Sequence, residues 1–119
     1  MKGHVYWILE LDIQAGREQD FHALMREMVE DTQANEPGTL AYEWSISSDG
    51  KVCHIFEHYS NSAATMVHLA KFGDKYAERF FEALSPRRFV IYGSPSQLVK
   101  DMLSGFGPTY MQLADGYCR

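Results

Sequence analysis

Residues 36–72 carry most of the signals that decide the fold, and they read EPGTLAYEWSISSDGKVCHIFEHYSNSAATMVHLAKF. A Pro-Gly turn leads into two short runs rich in aromatic and β-branched residues, the composition typical of strands. Asp-Gly at 49–50 separates the runs and is a strong short-range signal for a β-hairpin. A helix follows, because the Ser-Asn-Ser run at 60–62 contains the residue types that cap helix N-termini.

The hairpin register sorts the side chains of its two strands between the two faces of the sheet. With residues 49–50 at the turn, Tyr42 lies opposite Glu57 and Leu40 lies opposite Tyr59. Directly opposite residues share a face. One face therefore collects aromatic and apolar side chains with a single carboxylate: Leu40, Tyr42, Trp44, Ile46, Cys53, Ile55, Glu57 and Tyr59. The other face collects a more polar set: Ala41, Glu43, Ser45, Val52, His54, Phe56 and His58.

Periodicity predicts the remaining elements. Apolar residues recur at helical spacing between positions 17 and 35, whereas 5–13 is rich in β-branched and aromatic residues. The predicted strands are 5–13, 40–47, 52–59, 89–92 and a short 108–113. The predicted helices are 17–35, one that begins after 60–62 and is interrupted at 72–74, 75–84 with a stop at Ser85-Pro86, and 96–103.

The element order is β-α-β-β-α-α-β with a short C-terminal α-β tail. This is the order of the ferredoxin-like split βαβ fold, an α+β architecture with an antiparallel sheet and helices on one face. We expect residues 1–94 to form the domain and 95–119 to be a C-terminal extension of it. The helices cover only one face, so a second copy of the chain is expected to cover the other, which carries Tyr6, Ile8, His54, Phe56 and His58.

Composition narrows the class of protein. The chain has 119 residues and a net charge of −5, which disfavours nucleic-acid binding through a basic patch. No apolar run approaches the ~20 residues that span a bilayer, and residues 1–12 lack the features of a signal peptide. Cys53 and Cys118 do not form a disulfide framework. We therefore expect a cytoplasmic protein with free thiols and no membrane partner.

Three parts of the sequence form one recurring pattern: the Glu-Pro-Gly turn at 36–38, the Phe-Glu-His-Tyr end of the third strand at 56–59, and His68 about ten residues later. On these parts the chain resembles the antibiotic biosynthesis monooxygenase family of dimeric α+β barrels. The resemblance covers roughly residues 5–92 and assigns no function to the tail. It implies a homodimer, and the family includes quinol monooxygenases, cofactor-independent oxygenases of aromatic polyketides and haem-degrading enzymes.

The resemblance makes His68 and Glu57 the candidate catalytic residues. His68 would be a base of near-neutral pKa, oriented by Glu57, that takes a proton from a quinol or polycyclic phenol before O₂ accepts an electron. Helical spacing puts His68 off the apolar stripe of its helix, which is Ala63, Met66, Val67 and Ala70. The side chain therefore points either into the crevice between helix and sheet or toward solvent. A bond from His68 to Glu57 that only ties helix to strand is an equally open interpretation.

The candidate substrate-binding residues are aromatic: Tyr42, Trp44, Tyr59 and Phe72. They form either the wall of a flat pocket or an ordinary core. No cofactor is expected, and no metal site, because the histidines lack the spacing of metal ligands. Two alternatives stay open. One is a haem-degrading enzyme with His68 as axial ligand; the resemblance disfavours it, because the first strand has no Asn at its pocket-facing positions and that Asn is associated with the haem-degrading branch. The other is a non-catalytic module that binds a small aromatic metabolite.

Overall fold

The computed structural model describes residues 3–119 of the chain. Its strands are β1 (Val5–Ile13), β2 (Thr39–Ile46), β3 (Val52–Tyr59), β4 (Leu84–Gly93) and β5 (Thr109–Met111). Its helices are α1 (Glu18–Asn35), α2 (Ser62–Lys71), α3 (Ala77–Ala83) and α4 (Gln97–Leu103). A π-helical turn (Phe72–Tyr76) joins α2 to α3, and a 3₁₀ turn (Ser104–Phe106) follows α4. Within this described part of the chain, no helix is long and apolar enough to cross a membrane.

The sheet confirms the predicted α+β, ferredoxin-like fold. Its strand order is β2-β3-β1-β4-β5. The first four strands pair antiparallel, and β5 adds to the edge of β4 in parallel. The predicted purely antiparallel sheet is therefore a mixed one, because the C-terminal extension returns along β4.

The hairpin has the predicted register along most of its length. Tyr42 pairs with Glu57 and Trp44 pairs with Ile55. The prediction is wrong at the start of β2, where Thr39 rather than Leu40 lies opposite Tyr59. A register shift makes Leu40 the extra residue of a bulge, and its side chain is 53% exposed instead of joining the helix-covered face.

The predicted interruption at residues 72–74 falls where regular α winding stops, because α2 ends at Lys71 and α3 begins at Ala77. The chain does not break there, however, and continues as a π-helical turn between the two helices. A π turn accommodates one residue more than an α turn, which lets the run continue through Gly73.

Strand β4 begins at Leu84, five residues before the predicted Phe89. The predicted helix end at Ser85-Pro86 is therefore part of the strand. Pro86 is tolerated because β5 pairs only with Val90 to Tyr92, so this end of β4 is an edge where a missing N–H costs no ladder bond. The register with β1 also shifts between Glu10 and Leu11, where Arg87 becomes the extra residue.

The core fills the space between the sheet and the helices in two clusters. The first lies under α1 and α3 and includes Phe21, Met28 and Phe80. The second lies under α2 and α4 and includes Trp7, Val99 and Leu103. Because α4 contributes to that second cluster, the extension packs into the same body as the preceding strands.

Candidate active site

Helix α2 carries His68 to the interface with the sheet, where the residue is 6% exposed. The helix begins as predicted at a cap, because the Asn61 side chain accepts a hydrogen bond of 2.8 Å from the Ala64 amide. It approaches the sheet closely at Gly38, where a Cβ atom would lie 2.5 Å from the Ala64 Cβ. The absence of a side chain at Gly38 therefore sets how deeply α2 packs.

The apolar stripe predicted for α2 does not face the core. The helix exposes three of its residues: Ala63, Val67 and Ala70. The buried positions are instead Thr65 and His68. Two carboxylates, Glu36 and Glu57, lie beneath α2, and buried carboxylates require a hydrogen-bonding partner. The helix is therefore oriented so that His68 meets these carboxylates, and not so that its apolar stripe is buried.

His68 bridges the two buried carboxylates. Its Nδ1 lies 2.9 Å from Glu36 Oε1, and its Nε2 lies 3.3 Å from Glu57 Oε1. All three side chains are at most 7% exposed. Glu57 Oε1 also accepts a hydrogen bond from the Tyr59 hydroxyl. The predicted contact between His68 and Glu57 is present, and Glu36 is a second partner that sequence reasoning treated only as part of a turn.

Glu36 is held from its other side by a polar network that reaches the surface. Thr39 Oγ1 donates to Glu36 Oε1 at 2.9 Å, and Lys71 Nζ lies 3.2 Å from Glu36 Oε2. Lys71 also lies 3.1 Å from Asp31, which accepts from the Tyr76 hydroxyl. The position of Glu36, between the end of a helix and an aromatic strand, could have indicated that its carboxylate is buried. A buried carboxylate needs a hydrogen-bonding partner.

The two carboxylates determine the charge of His68. Burial by itself lowers the pKa of this imidazole, but the hydrogen bonds and charges of Glu36 and Glu57 outweigh burial and raise the pKa to about 9. His68 is therefore an imidazolium at neutral pH, and the near-neutral pKa expected from the sequence does not apply. Burial raises the pKa of Glu36, but hydrogen bonds from His68, Thr39 and Lys71 prevail and lower it.

The Glu57 carboxylate and His68 lie at the inner end of a cavity of about 170 Å³. Its walls are largely aromatic and apolar: Trp7, Leu9, Tyr42, Phe72, Phe80 and Phe89. Tyr42 keeps its proton, because burial and then the charge of Glu57 raise the pKa of its hydroxyl well above the usual value. The cavity presents one buried ion pair against flat apolar surfaces.

The predicted aromatic residues divide between the cavity and the packing around it. Tyr42 and Phe72 line the cavity, whereas Trp44 and Tyr59 do not. The Trp44 ring packs 6.0 Å from that of Phe21. Tyr59 is fully buried behind Glu57, and its ring lies 5.4 Å from that of His68. Trp44 and Tyr59 therefore support the site from behind its inner surface.

The open face of the sheet carries the other predicted histidines. His58 Nε2 lies 2.7 Å from His4 Nδ1, and His54 Nε2 lies 3.7 Å from Glu10 Oε1. Burial and then the charge of His4 lower the pKa of His58. These histidines lie on the far side of the sheet from the cavity, as the hairpin register predicts.

The thiol of Cys53 is buried in the core. Burial raises its pKa to about 12, so the thiol stays protonated at neutral pH. A thiolate, not a thiol, is the nucleophilic form of cysteine. Cys53 belongs to the apolar core under α1 and α3.

The fold and the site define a class of small α+β protein with an aromatic cavity between a sheet and its helices. Residues 5–83 match the sequence model of the family described as antibiotic biosynthesis monooxygenase. The chain belongs to that family, as its sequence resemblance predicts. No curated protein matches the chain in sequence.

Solved structures show the same fold at low sequence identity. MupZ from Pseudomonas fluorescens is 24% identical with a TM-score of 0.86, over 100% of this chain and 91% of that chain. SnoaB, a cofactor-independent oxygenase from Streptomyces nogalater, is 13% identical with a TM-score of 0.65, over 81% of this chain and 97% of that chain. A putative antibiotic biosynthesis monooxygenase from Caulobacter crescentus is 21% identical with a TM-score of 0.64, over 76% of this chain and 86% of that chain.

Proposed function

We propose that the chain is a cofactor-independent monooxygenase that oxidises a quinol or a polycyclic phenol. The observation that carries the proposal is the buried pair of Glu57 and His68 at the inner end of an aromatic cavity. Membership of the antibiotic biosynthesis monooxygenase family and the fold shared with SnoaB support the reaction class. The substrate would lie with its ring between apolar walls and its hydroxyl toward the ion pair.

The Glu57 carboxylate would accept a hydrogen bond from the substrate hydroxyl. Both contacts that Tyr59 and His68 make to this carboxylate go to Oε1, which leaves Oε2 for a hydroxyl donor. Because His68 is already protonated, we assign the proton acceptor to Glu57 and the cationic partner to His68. The imidazolium would stabilise the developing phenolate, and its charge counts for more in a buried site than in water.

The reaction balances without an external reductant. A phenolate transfers an electron to O₂, the resulting radicals combine to form a C–O bond, and the O–O bond then breaks. One oxygen atom stays on the ring as a quinone carbonyl, and the other leaves as water with two hydrogens from the phenol. The apolar walls would exclude solvent from these intermediates.

Oxygen uptake with a panel of dihydroxynaphthalenes and related phenols tests the proposal. We expect substrate-dependent O₂ consumption by the wild-type chain and a loss of at least about 100-fold in Glu57→Gln and His68→Gln, the scale of a removed acid–base group. His54→Gln, on the opposite face, is the matched control and keeps full activity. A panel that gives ligand-induced thermal stabilisation but no uptake would point instead to a non-catalytic binding module.

The protonated state of His68 favours a second candidate, an acid–base enzyme that needs no O₂. In that reaction His68 would donate a proton to the substrate and Glu57 would accept one. Turnover of a substrate under argon, with the same sensitivity to His68→Gln, would support this candidate over the monooxygenase.

The site does not fit the haem-degrading alternative. Both ring nitrogens of His68 are engaged by carboxylates, so neither is free to ligate iron. The cavity volume of about 170 Å³ is also below the ~300–1,000 Å³ of sites for drug-sized ligands. Haem binding would require α2 to move away from Glu36 and Glu57.

We also propose that the chain forms a homodimer through the open face of the sheet. Aromatic rings cluster there: Tyr6 stacks on Tyr92 at 5.4 Å and meets His58 edge-on at 5.4 Å. Ile8 and Phe56 pair directly beside them on β1 and β3. Sedimentation of Ile8→Glu checks this proposal, with a monomer expected for the variant and a dimer for the wild type.

The state of the two cysteines bears on the compartment in which the protein works. Cys53 is buried and Cys118 is exposed, and both are free thiols in the structure. Free thiols are typical of reducing compartments. We therefore propose that the protein works in the cytoplasm.

A further inference from the structure

The two ends of the cavity differ in their exposure to solvent. The inner end is formed by the buried residues Glu57 and His68. The lining also includes Phe81, which is 38% exposed, and Phe106, which is 48% exposed. These two exposed rings mark the outer end, or mouth, where the cavity opens to solvent.

The two outer rings form a stacked pair. The centroids of Phe81 and Phe106 lie 5.9 Å apart, and the ring planes differ by 22°. Phe81 is also in edge contact with Phe72 and Phe80, whose rings line the cavity further in. A continuous aromatic surface therefore runs from the mouth into the cavity.

Phe106 reaches the mouth from the C-terminal extension. It ends the 3₁₀ turn after α4, and Leu103 anchors that turn because it is 2% exposed in the core. Gly107 follows with a φ of 61°, a left-handed conformation that glycine adopts without strain. Phe106 lies beyond the residues 5–83 that match the family model, so this wall of the cavity comes from outside the matched region.

The cavity is too small to enclose a polycyclic ligand. Its volume of about 170 Å³ compares with the ~300–1,000 Å³ typical of sites that bury a drug-sized molecule. A ligand with its hydroxyl at Glu57 would therefore place one ring inside, while any further fused rings extend to the mouth.

Arg87 and Arg88 are also among the residues that line the cavity, but their guanidinium groups lie near carboxylates of β1. The Arg87 guanidinium lies 3.6 Å from Asp12, and that of Arg88 lies 3.9 Å from Glu10. Because carboxylates of β1 already face both cations, an apolar, planar group fits the mouth better than an anion does.

We propose that Phe81 and Phe106 form an outer subsite that binds the fused rings of a polycyclic phenol and selects such ligands over single-ring phenols. The inference rests on the proposed function only for the placement of the hydroxyl at Glu57. Stacking on the Phe pair would hold the part of the ligand that the cavity cannot enclose. The extension would thereby contribute to substrate selection as well as to the core.

Binding of two probes under argon tests the subsite without turnover. The probes are 1-hydroxypyrene, followed by its own fluorescence, and phenol, followed by its displacement of 1-hydroxypyrene. In Phe106→Ala we expect the Kd of 1-hydroxypyrene to rise about five- to tenfold, the scale of a lost aromatic contact, and the Kd of phenol to stay within about twofold. Phe106→Trp should restore binding of the larger probe.

The matched control is Met102→Ala, which removes a half-exposed apolar side chain of α4 that does not line the cavity. It should leave both Kd values unchanged. Equal losses for both probes in Phe106→Ala, or no loss for either, would overturn the subsite. A change in mass by light scattering in Phe106→Ala would overturn it too, by showing that the pair contacts a second copy. Because the assay contains no O₂, a failure of the monooxygenase proposal does not decide its outcome.

Discussion

Each face of the sheet holds a histidine from residues 36–72, buried on the helix-covered face and half-buried on the open face. The pKa values of these two histidines are shifted in opposite directions. On the helix-covered face, His68 lies between Glu36 and Glu57, and its pKa rises to about 9. On the open face, His58 lies against His4, and its pKa falls. Burial alone would lower both values.

The difference shows that the partners of a histidine, more than its depth, decide its charge. Two carboxylates outweigh the cost of burying the His68 cation, whereas a neighbouring histidine adds to that cost at His58. The first site is built to hold a positive charge beside a cavity. The second favours a neutral ring on a face that we expect a second copy to cover.

Removal of His68 is the largest expected perturbation of this contrast. His68→Ala leaves two buried carboxylates without their shared cation, and breaking such a buried pair costs about 3–5 kcal/mol in the free energy of unfolding. Urea denaturation at pH 7 measures the loss. His54→Ala, on the exposed pair with Glu10, should cost less than about 1 kcal/mol. Equal losses in the two variants would contradict the contrast.

The pH dependence of stability is the next largest effect. Because the folded pKa of His68 lies above its unfolded value of 6.5, its contribution is fully present below pH 6.5 and is lost as the pH rises through about 9. The loss is on the order of 3 kcal/mol at about 1.4 kcal/mol per pH unit. Urea denaturation between pH 6 and 10 should show the decline in wild type. A decline of the same size in His68→Gln would assign it to other groups.

Gly38→Ala should weaken the contrast without touching either histidine. The new Cβ would lie 2.5 Å from the Ala64 Cβ, so α2 has to move outward, at a cost of about 1–3 kcal/mol. The shift would lengthen the contacts of His68 with Glu36 and Glu57, and because these contacts raise its pKa, the value measured by NMR should fall from about 9 toward 6.5. Gly73→Ala is the control, because nothing lies within 4 Å of its Cβ position. An unchanged His68 pKa in Gly38→Ala would show that helix depth is not what maintains it.

The smallest expected effect lies on the open face. His58→Gln should change the free energy of unfolding by less than about 1 kcal/mol at pH 7, as for most substitutions of this kind. Since burial and His4 lower the pKa of His58, protonation opposes folding, and wild type should lose stability below pH 6.5. Denaturation at pH 5.5 should therefore narrow the gap between variant and wild type. A gap that widens at pH 5.5 would reverse the assigned sign.

The sequence predicts local and repeating features of this fold well. Alternation and the Asp-Gly turn are sufficient to place Tyr42 opposite Glu57 and Ser45 opposite His54, and so to assign these pairs to different faces of the sheet. The orientation of α2 is different, because apolar spacing points Val67 inward whereas the structure exposes it. That choice depends on two carboxylates that meet beneath the helix only after folding.

The candidate site shows the same limit. His68 and Glu57 belong to one recognisable segment, whereas Glu36 lies 32 positions before His68 and meets it only in three dimensions. Phe106 reaches the cavity from still further along the chain, in a tail to which the family resemblance assigns no function. Contacts between distant segments set both the charge of His68 and the shape of the mouth, and no local pattern encodes them.

The π-helical turn at Phe72–Tyr76 lets the helical run hold one residue more than an ordinary α-helix of the same facing. Because the wide turn absorbs the extra residue, α3 is spared the rotation of about 100° that one added residue causes in regular α winding. Deletion of a single residue within the turn would restore ordinary winding and leave Phe80 and Phe81 at the cavity. A length change of one residue at this point would therefore preserve both the pocket and the ion pair of a relative.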